Sequence, residues 1–123
     1  MSDSPAVSIL LLEDEPLIAM DTEELLQNAG FDVVGVLSSC GEALTWLESK
    51  QADLAVLDIN LRDGDCTDIA QILANRNIPF IVHSGSLKNS ANHHPIFLKG
   101  HWVTKPALPA DLIAAVESSL AMA

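Results

Sequence analysis

Four short apolar runs in this chain each end on residues able to do chemistry. Residues 7–12 end at Glu13-Asp14-Glu15, and 54–57 end at Asp58. Residues 80–82 lead to Ser84-Gly85, and Trp102-Val103 lead to Lys105-Pro106. If these runs are parallel strands, their C-terminal ends share one sheet edge, where open α/β sheets place their ligands. Carboxylates from two strands, a hydroxyl and an ammonium on that edge outline a site for a divalent cation and a phosphoryl group. Two carboxylates about 4–5 Å apart repel by about 3–4 kcal/mol at an effective dielectric of about 20. A hard cation removes that cost. Mg²⁺ takes oxygen ligands, keeps several waters, and needs only one or two carboxylates plus a phosphate. Asp14 and Asp58 suit direct ligation, and Glu13 ligation through water. Any single acidic residue is explained as well by an ordinary charged surface. Acidic ends of two separate buried runs, joined by a Lys and a Ser at two more, are not.

Asp58 can also be a nucleophile, because a carboxylate attacking a phosphoryl group gives an acyl phosphate. Lys105 offers a positive charge to a phosphoryl oxygen and Ser84 a hydroxyl donor. Backbone N–H groups after Asp58 and at Gly85 add further donors. This is the positioning and charge stabilisation that phosphoryl transfer requires.

The elements that must hold these residues alternate along the chain. Residues 7–13 read as a buried strand, short, continuously apolar and ended by charge. Pro16 opens a helix at its first turn, where a missing N–H costs nothing. Ile18, Leu25, Leu26 and Ala29 form its inward face, and Gly30 stops it. Residues 31–37 are a second strand. Ser39 and Glu42 form a capping box for a helix carrying Ala43, Leu44 and Leu47 inward. Residues 54–58 are the third strand. A polar loop, 62–67, precedes a helix with Ile69, Ile72 and Leu73 inward and Asp65 as its cap. Residues 80–83 are the fourth strand. Leu108, Leu112, Ile113, Val116 and Leu120 give the last helix an apolar stripe. Residues 87–100 have no good apolar face, so the helix due there is expected to be short or mobile. Five βα units with right-handed crossovers put helices on both faces of a parallel sheet.

A length of 123 residues fits one domain, 1–123, with its core over about 7–122. The hydrophobic fraction of 49% suffices for a core of Leu, Ile, Val and Ala, since aromatics are few and Tyr is absent. A net charge of −11 argues against contact with nucleic acid or anionic membranes and favours a cationic partner or a metal. No apolar run reaches the roughly 18 residues of a membrane span, and the N-terminus lacks the basic region of a signal peptide. A cytoplasmic location is expected. Cys40 and Cys66 have no metal-site spacing and are expected as free thiols.

The whole chain resembles a response-regulator receiver domain of two-component signalling. Glu13-Asp14, Asp58-Ile59-Asn60-Leu61, Ser84-Gly85 and Lys105-Pro106 carry the resemblance. It implies a chemotaxis-type, flavodoxin-like fold with strand order 2-1-3-4-5. It implies Asp58 as phosphoacceptor, with Glu13, Asp14, Asp58 and the backbone carbonyl of Asn60 holding Mg²⁺, for which Mn²⁺ can substitute. Ser84 becomes the switch hydroxyl and Lys105 the phosphate-sensing lysine. Asn60 and Ser86 tune the attack of water on the acyl phosphate. Trp102 takes the place of a switching Tyr or Phe, although its bulk and missing hydroxyl depart from the pattern. Ala107 stands where a Phe follows the Lys-Pro pair. Residues 79–86 resemble a subgroup reading Pro-Phe-x-x-x-Thr-Gly-Tyr, with Ser84 for Thr and Ser86 for Tyr. That subgroup accompanies histidine kinases of the HWE type. The implied partners are such a kinase or a histidine phosphotransfer protein, and a downstream protein target. The last helix ends at residues 121–123, so output is expected through a protein contact, or as a phosphate sink, rather than through a following domain.

Two other functions fit some of the same residues. A Mg²⁺-dependent phosphatase of the haloacid-dehalogenase type would also use an Asp nucleophile. Its Asp-x-Asp belongs at the first strand, whereas Asp58-Ile59-Asn60 lies on the third with Asn in place of the second acid, and the chain lacks a cap domain. A receiver fold could also bind partners without phosphorylation. The expected function is therefore a phosphoacceptor and not a turnover enzyme. A calcium loop through Asp58, Asn60, Asp63, Asp65 and Asp68 fails, because Arg62 and Ile69 occupy ligand positions. His93-His94 are expected as solvated loop residues, and His83 as a packing residue facing away from Ser84. Trp46 is expected at the core edge.

Overall fold

The computed structural model describes residues 6–85 and 94–122. Five parallel strands form the main sheet: β1 (Ser8–Leu12), β2 (Asp32–Leu37), β3 (Leu54–Leu57), β6 (Phe80–Ser84) and β7 (His101–Thr104). Their order is β2-β1-β3-β6-β7, which is the expected 2-1-3-4-5 counted along the main sheet alone. A small hairpin, β4 (Asn60–Leu61) with β5 (Gly64–Asp65), interrupts the chain after β3. The alternating pattern does not disclose this hairpin, because each arm has only two residues.

Successive side chains of a strand point to opposite faces, and that period sorts the core into two layers. Leu10, Leu12, Ala55, Leu57, Phe80 and Val82 join Ala43 and Leu47 of α2 (Cys40–Ser49) and Ile69 and Leu73 of α3 (Thr67–Asn75). Ile9, Leu11, Leu54, Val56, Ile81 and Val103 join Leu26 of α1 (Pro16–Asn28) and Leu112, Ala115 and Val116 of α4 (Pro109–Ala121). Each fully buried Leu or Ile contributes about 1.5–3 kcal/mol. β3 and β6 are buried at every position because they lie inside the sheet. The edge strand β2 alternates between exposed and half-buried.

Helix ends follow local chemistry. α1 stops at Gly30, whose φ of 94° suits a residue without Cβ. The Gly30 and Phe31 N–H groups there donate to the Gln27 and Leu26 carbonyls, satisfying the last turn. At α2 the Ser39 hydroxyl accepts the Glu42 N–H at 3.1 Å, and Glu42 accepts from both Ser38 and Ser39. The capping box is as expected. At α3 the cap differs. Cys66 holds the N-cap position without a side-chain capping bond, and Asp65 instead accepts the Thr67 hydroxyl at 3.1 Å. Three inward residues are also corrected. Ala29 is exposed at the C-terminal end of α1, Leu44 is exposed on α2, where Ala43 and Leu47 are the buried positions, and Leu108 is the exposed N-cap of α4 rather than part of its apolar stripe.

Of the stretch 87–100, residues 87–93 lie outside the described residues. The remainder holds a single 3-10 helix, Pro95–Lys99, started by His94, whose Nδ1 accepts the Ile96 N–H. The stretch does have an apolar anchor, since Phe97 is fully buried against α3 and the sheet. One aromatic residue in a single turn sets no helical period, which is why the pattern hid it. Gly100 then passes so close to Phe80 that a Cβ would lie 2.5 Å from its ring. No helix among the described residues is long and apolar enough to cross a membrane.

Candidate functional site

Strand register assembles the site. Leu12 pairs with Leu57, so Glu13 and Asp58 emerge side by side where β1 and β3 end. The Asp58 N–H donates to the Leu12 carbonyl at 3.0 Å and fixes that exit. On the other side Ser84 pairs with Thr104, and the Lys105 N–H donates to the Ser84 carbonyl at 2.9 Å. Lys105 thus leaves β7 toward the two acids. A cis bond joins it to Pro106.

The charged groups meet. Lys105 Nζ donates to Asp58 Oδ2 at 2.8 Å and to Glu13 Oε1 at 2.5 Å. The side chains of Lys105, Glu13 and Asp58 are only 15%, 3% and 12% exposed, so water screens them little. Asp58 Oδ1 accepts the Asn60 N–H at 3.1 Å, and Glu13 Oε2 accepts the Glu15 N–H at 3.2 Å. Burial pushes the Glu13 carboxyl above its ordinary value and outweighs its bonds from Lys105 and Glu15. For Lys105 burial works downward, but the bonds to Asp58 and then Glu13 outweigh it and hold the ammonium above its ordinary value. The sequence places Lys105 ready for a phosphoryl oxygen. In the structure it spans two carboxylates, because two buried acids attract the ammonium more strongly than solvent does.

Asp14 completes the acidic group. Ligand oxygens of Glu13, Asp14 and Asp58 lie within 4.8 Å of one another. Three hard oxygen donors on one strand edge fit Mg²⁺ or Mn²⁺. Ser84 is buried at the end of β6, and Gly85 is exposed beside it. Ser86 lies outside the described residues. Trp102 is half-buried, and its indole N–H donates to the Phe97 carbonyl at 2.9 Å. A Trp held this way ties β7 to the 3-10 helix. His83 is buried on the side away from Ser84. It lines a groove of about 710 Å³ between α1 and the segment from Lys105 to Leu112. Burial, then the Lys105 charge, lower its pKa. Trp46 sits at the core edge.

Two features escaped sequence reasoning. The Asp63 carboxylate accepts the N–H groups of Cys40 and Gly41 at 2.7 and 3.0 Å, docking the loop after Asp58 onto the start of α2. Those two bonds hold Asp63 below the usual carboxylate range. An Asp beside a Gly in a polar loop is a weak signal of a long-range cap. The second feature is the approach of Cys40 to Cys66, for which nothing in their spacing gave notice.

Comparison with known proteins agrees with the geometry. The model of the response regulator receiver domain matches residues 9–117. The Phyllosphere-induced regulator PhyR of Methylorubrum extorquens is 34% identical over 121 residues, covering 94% of this chain and 44% of that protein. A crystal structure of the anti-anti-sigma factor PhyR from Bartonella quintana superposes with a TM-score of 0.80 at 30% identity, over 98% of this chain and 50% of that one. The solution structure of SdrG from Sphingomonas melonis Fr1 gives a TM-score of 0.79 at 33% identity, over 96% of this chain and 98% of that one. The chain spans about half the length of the curated relatives it matches.

Proposed function

Since this chain belongs to the response-regulator receiver family, we propose that Asp58 is its phosphoacceptor and that Lys105, Ser84 and the acidic group serve that transfer. The observation that carries the reading is the convergence of Glu13, Asp14 and Asp58 at one strand edge with Lys105 bridging two of them. An Asp58 carboxylate oxygen attacks the phosphorus of a phosphohistidine. The phosphorus–nitrogen bond breaks, the imidazole leaves with that electron pair, and an acyl phosphate remains. Glu13, Asp14, Asp58 and the Asn60 carbonyl would hold Mg²⁺, with Mn²⁺ as a substitute. Bound there, the cation neutralises charge between carboxylate and phosphoryl group. Lys105 exchanges a carboxylate for a phosphoryl oxygen, Ser84 donates its hydroxyl, and the N–H groups at Asn60 and Gly85 bind the remaining oxygens. Asn60 and Ser86 set how readily water later attacks.

The phosphoryl donor is a histidine kinase, of HWE type, or a histidine phosphotransfer protein, and the setting is cytoplasmic. The PhyR of Bartonella quintana is described as an anti-anti-sigma factor. That favours a protein rather than nucleic acid or membrane as the target here. A chain that holds its phosphoryl group as a signal is not a turnover phosphatase. The haloacid-dehalogenase alternative therefore falls away with the family assignment. A binding role without phosphorylation is disfavoured, because a purely structural surface has no need of three crowded carboxylates with one ammonium bridging two of them.

Acetyl phosphate with Mg²⁺ should add one phosphoryl group to the chain by intact mass. Asp58→Asn should keep the fold and lose the adduct, because an amide is not a nucleophile for this transfer. An unchanged wild-type mass with small-molecule and kinase donors alike would refute the assignment.

A further inference from the structure

Cys40 opens α2 and Cys66 is the N-cap of α3, 26 residues later. Their Sγ atoms are 2.7 Å apart. Two non-bonded sulfurs settle farther apart than this, whereas a disulfide draws them to about 2.05 Å. The surroundings hold the pair in place. Asp63 binds the first N–H groups of α2, the Cys40 thiol lies 3.3 Å from the Asp65 carbonyl, and the Cys66 N–H donates to the Ile59 carbonyl at 3.1 Å. The segment between Asp58 and Cys66 is thus already seated on α2, mainly through Asp63, with Cys66 buried in the core beside Cys40.

We propose that Cys40 and Cys66 are a reversible dithiol–disulfide site, oxidised by a low-molecular-weight disulfide, that clamps the loop after Asp58 onto α2. Cys40 is half-exposed and Cys66 is buried, so Cys40 reacts first. It loses its proton to solvent and its sulfur attacks one sulfur of oxidised glutathione, expelling a glutathione thiolate. Cys66 then loses its proton and attacks the Cys40 sulfur, expelling the second thiolate. Two protein thiols become one disulfide, and one small disulfide becomes two thiols. Burial pushes both protein thiols above the ordinary range, Cys66 the further. The raised values slow the exchange, and whether the disulfide accumulates is set by the redox poise, which must shift toward oxidation.

The clamp spans Asn60, so it stiffens the loop proposed above to hold the cation and the phosphoryl group. That consequence, unlike the disulfide itself, rests on the reading of Asp58. The test uses the full chain and oxidised glutathione at mildly alkaline pH. Wild type should become lighter by two hydrogens, lose both alkylatable thiols, and recover both with dithiothreitol. Cys66→Ser should stop at a single glutathione adduct on Cys40, and Cys40→Ser should gain none. Amide exchange over residues 59–66 should slow several-fold in the oxidised chain. Two thiols that remain alkylatable, a wild type that stops at the mixed disulfide, or unchanged exchange in that loop would overturn the proposal. A disulfide and slowed exchange in protein that ignores Mg²⁺ would support the clamp and overturn the cation reading, so the two fail separately.

Discussion

Two polar clusters flank the loop after Asp58, and they solve the same electrostatic problem differently. Around the start of α2, Glu42 and Asp63 each take donors that point at them: the Ser38 and Ser39 hydroxyls and Arg62 for one, two helix N–H groups for the other. Both carboxyls lie below their ordinary values, Glu42 chiefly through its serine hydrogen bonds and Asp63 through the two backbone donors. This cluster is mostly exposed, and each of its carboxylates is satisfied by donors aimed at it. At the strand edge, Glu13, Asp14 and Asp58 crowd together, and Lys105 is shared between two of them. Glu13 is pushed upward by burial despite its bonds. A fold whose levels agree everywhere else keeps unresolved charge where it works. The first cluster is satisfied by its own donors; the second keeps crowded charge that a bound cation would relieve, as the proposed function requires.

Removing the shared ammonium should break that contrast most severely. Lys105→Ala leaves buried Glu13 and half-buried Asp58 with no ion partner among the described residues, which should cost about 3 kcal/mol. Urea denaturation without divalent ions measures it, and Mg²⁺ should recover much of the loss. A variant as stable as wild type would mean that the strand-edge charges are already relieved by water, and the two clusters would not differ in kind.

Adding the cation should act in the opposite direction. Mg²⁺ at a hundredfold excess over its dissociation constant should stabilise the chain by about 2.7 kcal/mol, and Asp14→Ala should abolish the effect. Glu13 gains its proton at a higher pH in the folded chain than the ordinary value of 4.5. Its contribution to stability is therefore complete below that value and is lost as pH rises through the folded value. Mg²⁺ needs the carboxylate, so its stabilisation should grow over the same rise. A melting temperature indifferent to Mg²⁺ across that range would count against the site.

The second cluster was half legible in the sequence, and the first only in its local part. Ser39 and Glu42 are three residues apart, a local spacing with one conformational meaning, so the capping box could be read directly. Asp63 lies 22 residues from Gly41, and no local pattern reports a bond across that distance. The strand-edge acids were legible because each closes a buried run, and parallel strands bring their ends together. The pairing of Lys105 was not, since charge placement at the end of a strand fixes position but not the choice among neighbouring acids. Phe97 and the β4–β5 hairpin were hidden for a related reason: elements of one turn or two residues have no period to detect.

His83 gives a smaller effect that separates desolvation from charge crowding. Burial first, and the Lys105 ammonium second, hold its pKa below the ordinary 6.5. As pH falls below that value, the unfolded chain takes a proton that the folded chain still refuses. Stability should therefore decline toward acid until the folded value is reached, with a slope of at most about 1.36 kcal/mol per pH unit. His83→Gln should flatten this acid limb in a urea series without altering the Mg²⁺ response. An unchanged limb would assign it to the strand-edge carboxylates instead.

Ser39→Ala should give the smallest change and the cleanest control. The buried Ser39 hydroxyl accepts the Glu42 N–H and donates to the Glu42 carboxylate. Losing an N-cap of this kind costs about 1 kcal/mol. Glu42 keeps the Ser38 hydroxyl and N–H, and Asp63 keeps both helix N–H groups, so the loss should stay local. The denaturation midpoint should fall while the Mg²⁺ stabilisation and the phosphoryl adduct on Asp58 remain at wild-type levels. If the Mg²⁺ response fell with the midpoint, the two clusters would be coupled through the loop that joins Asp58 to Asp63. The cap would then belong to the strand-edge site rather than stand apart from it.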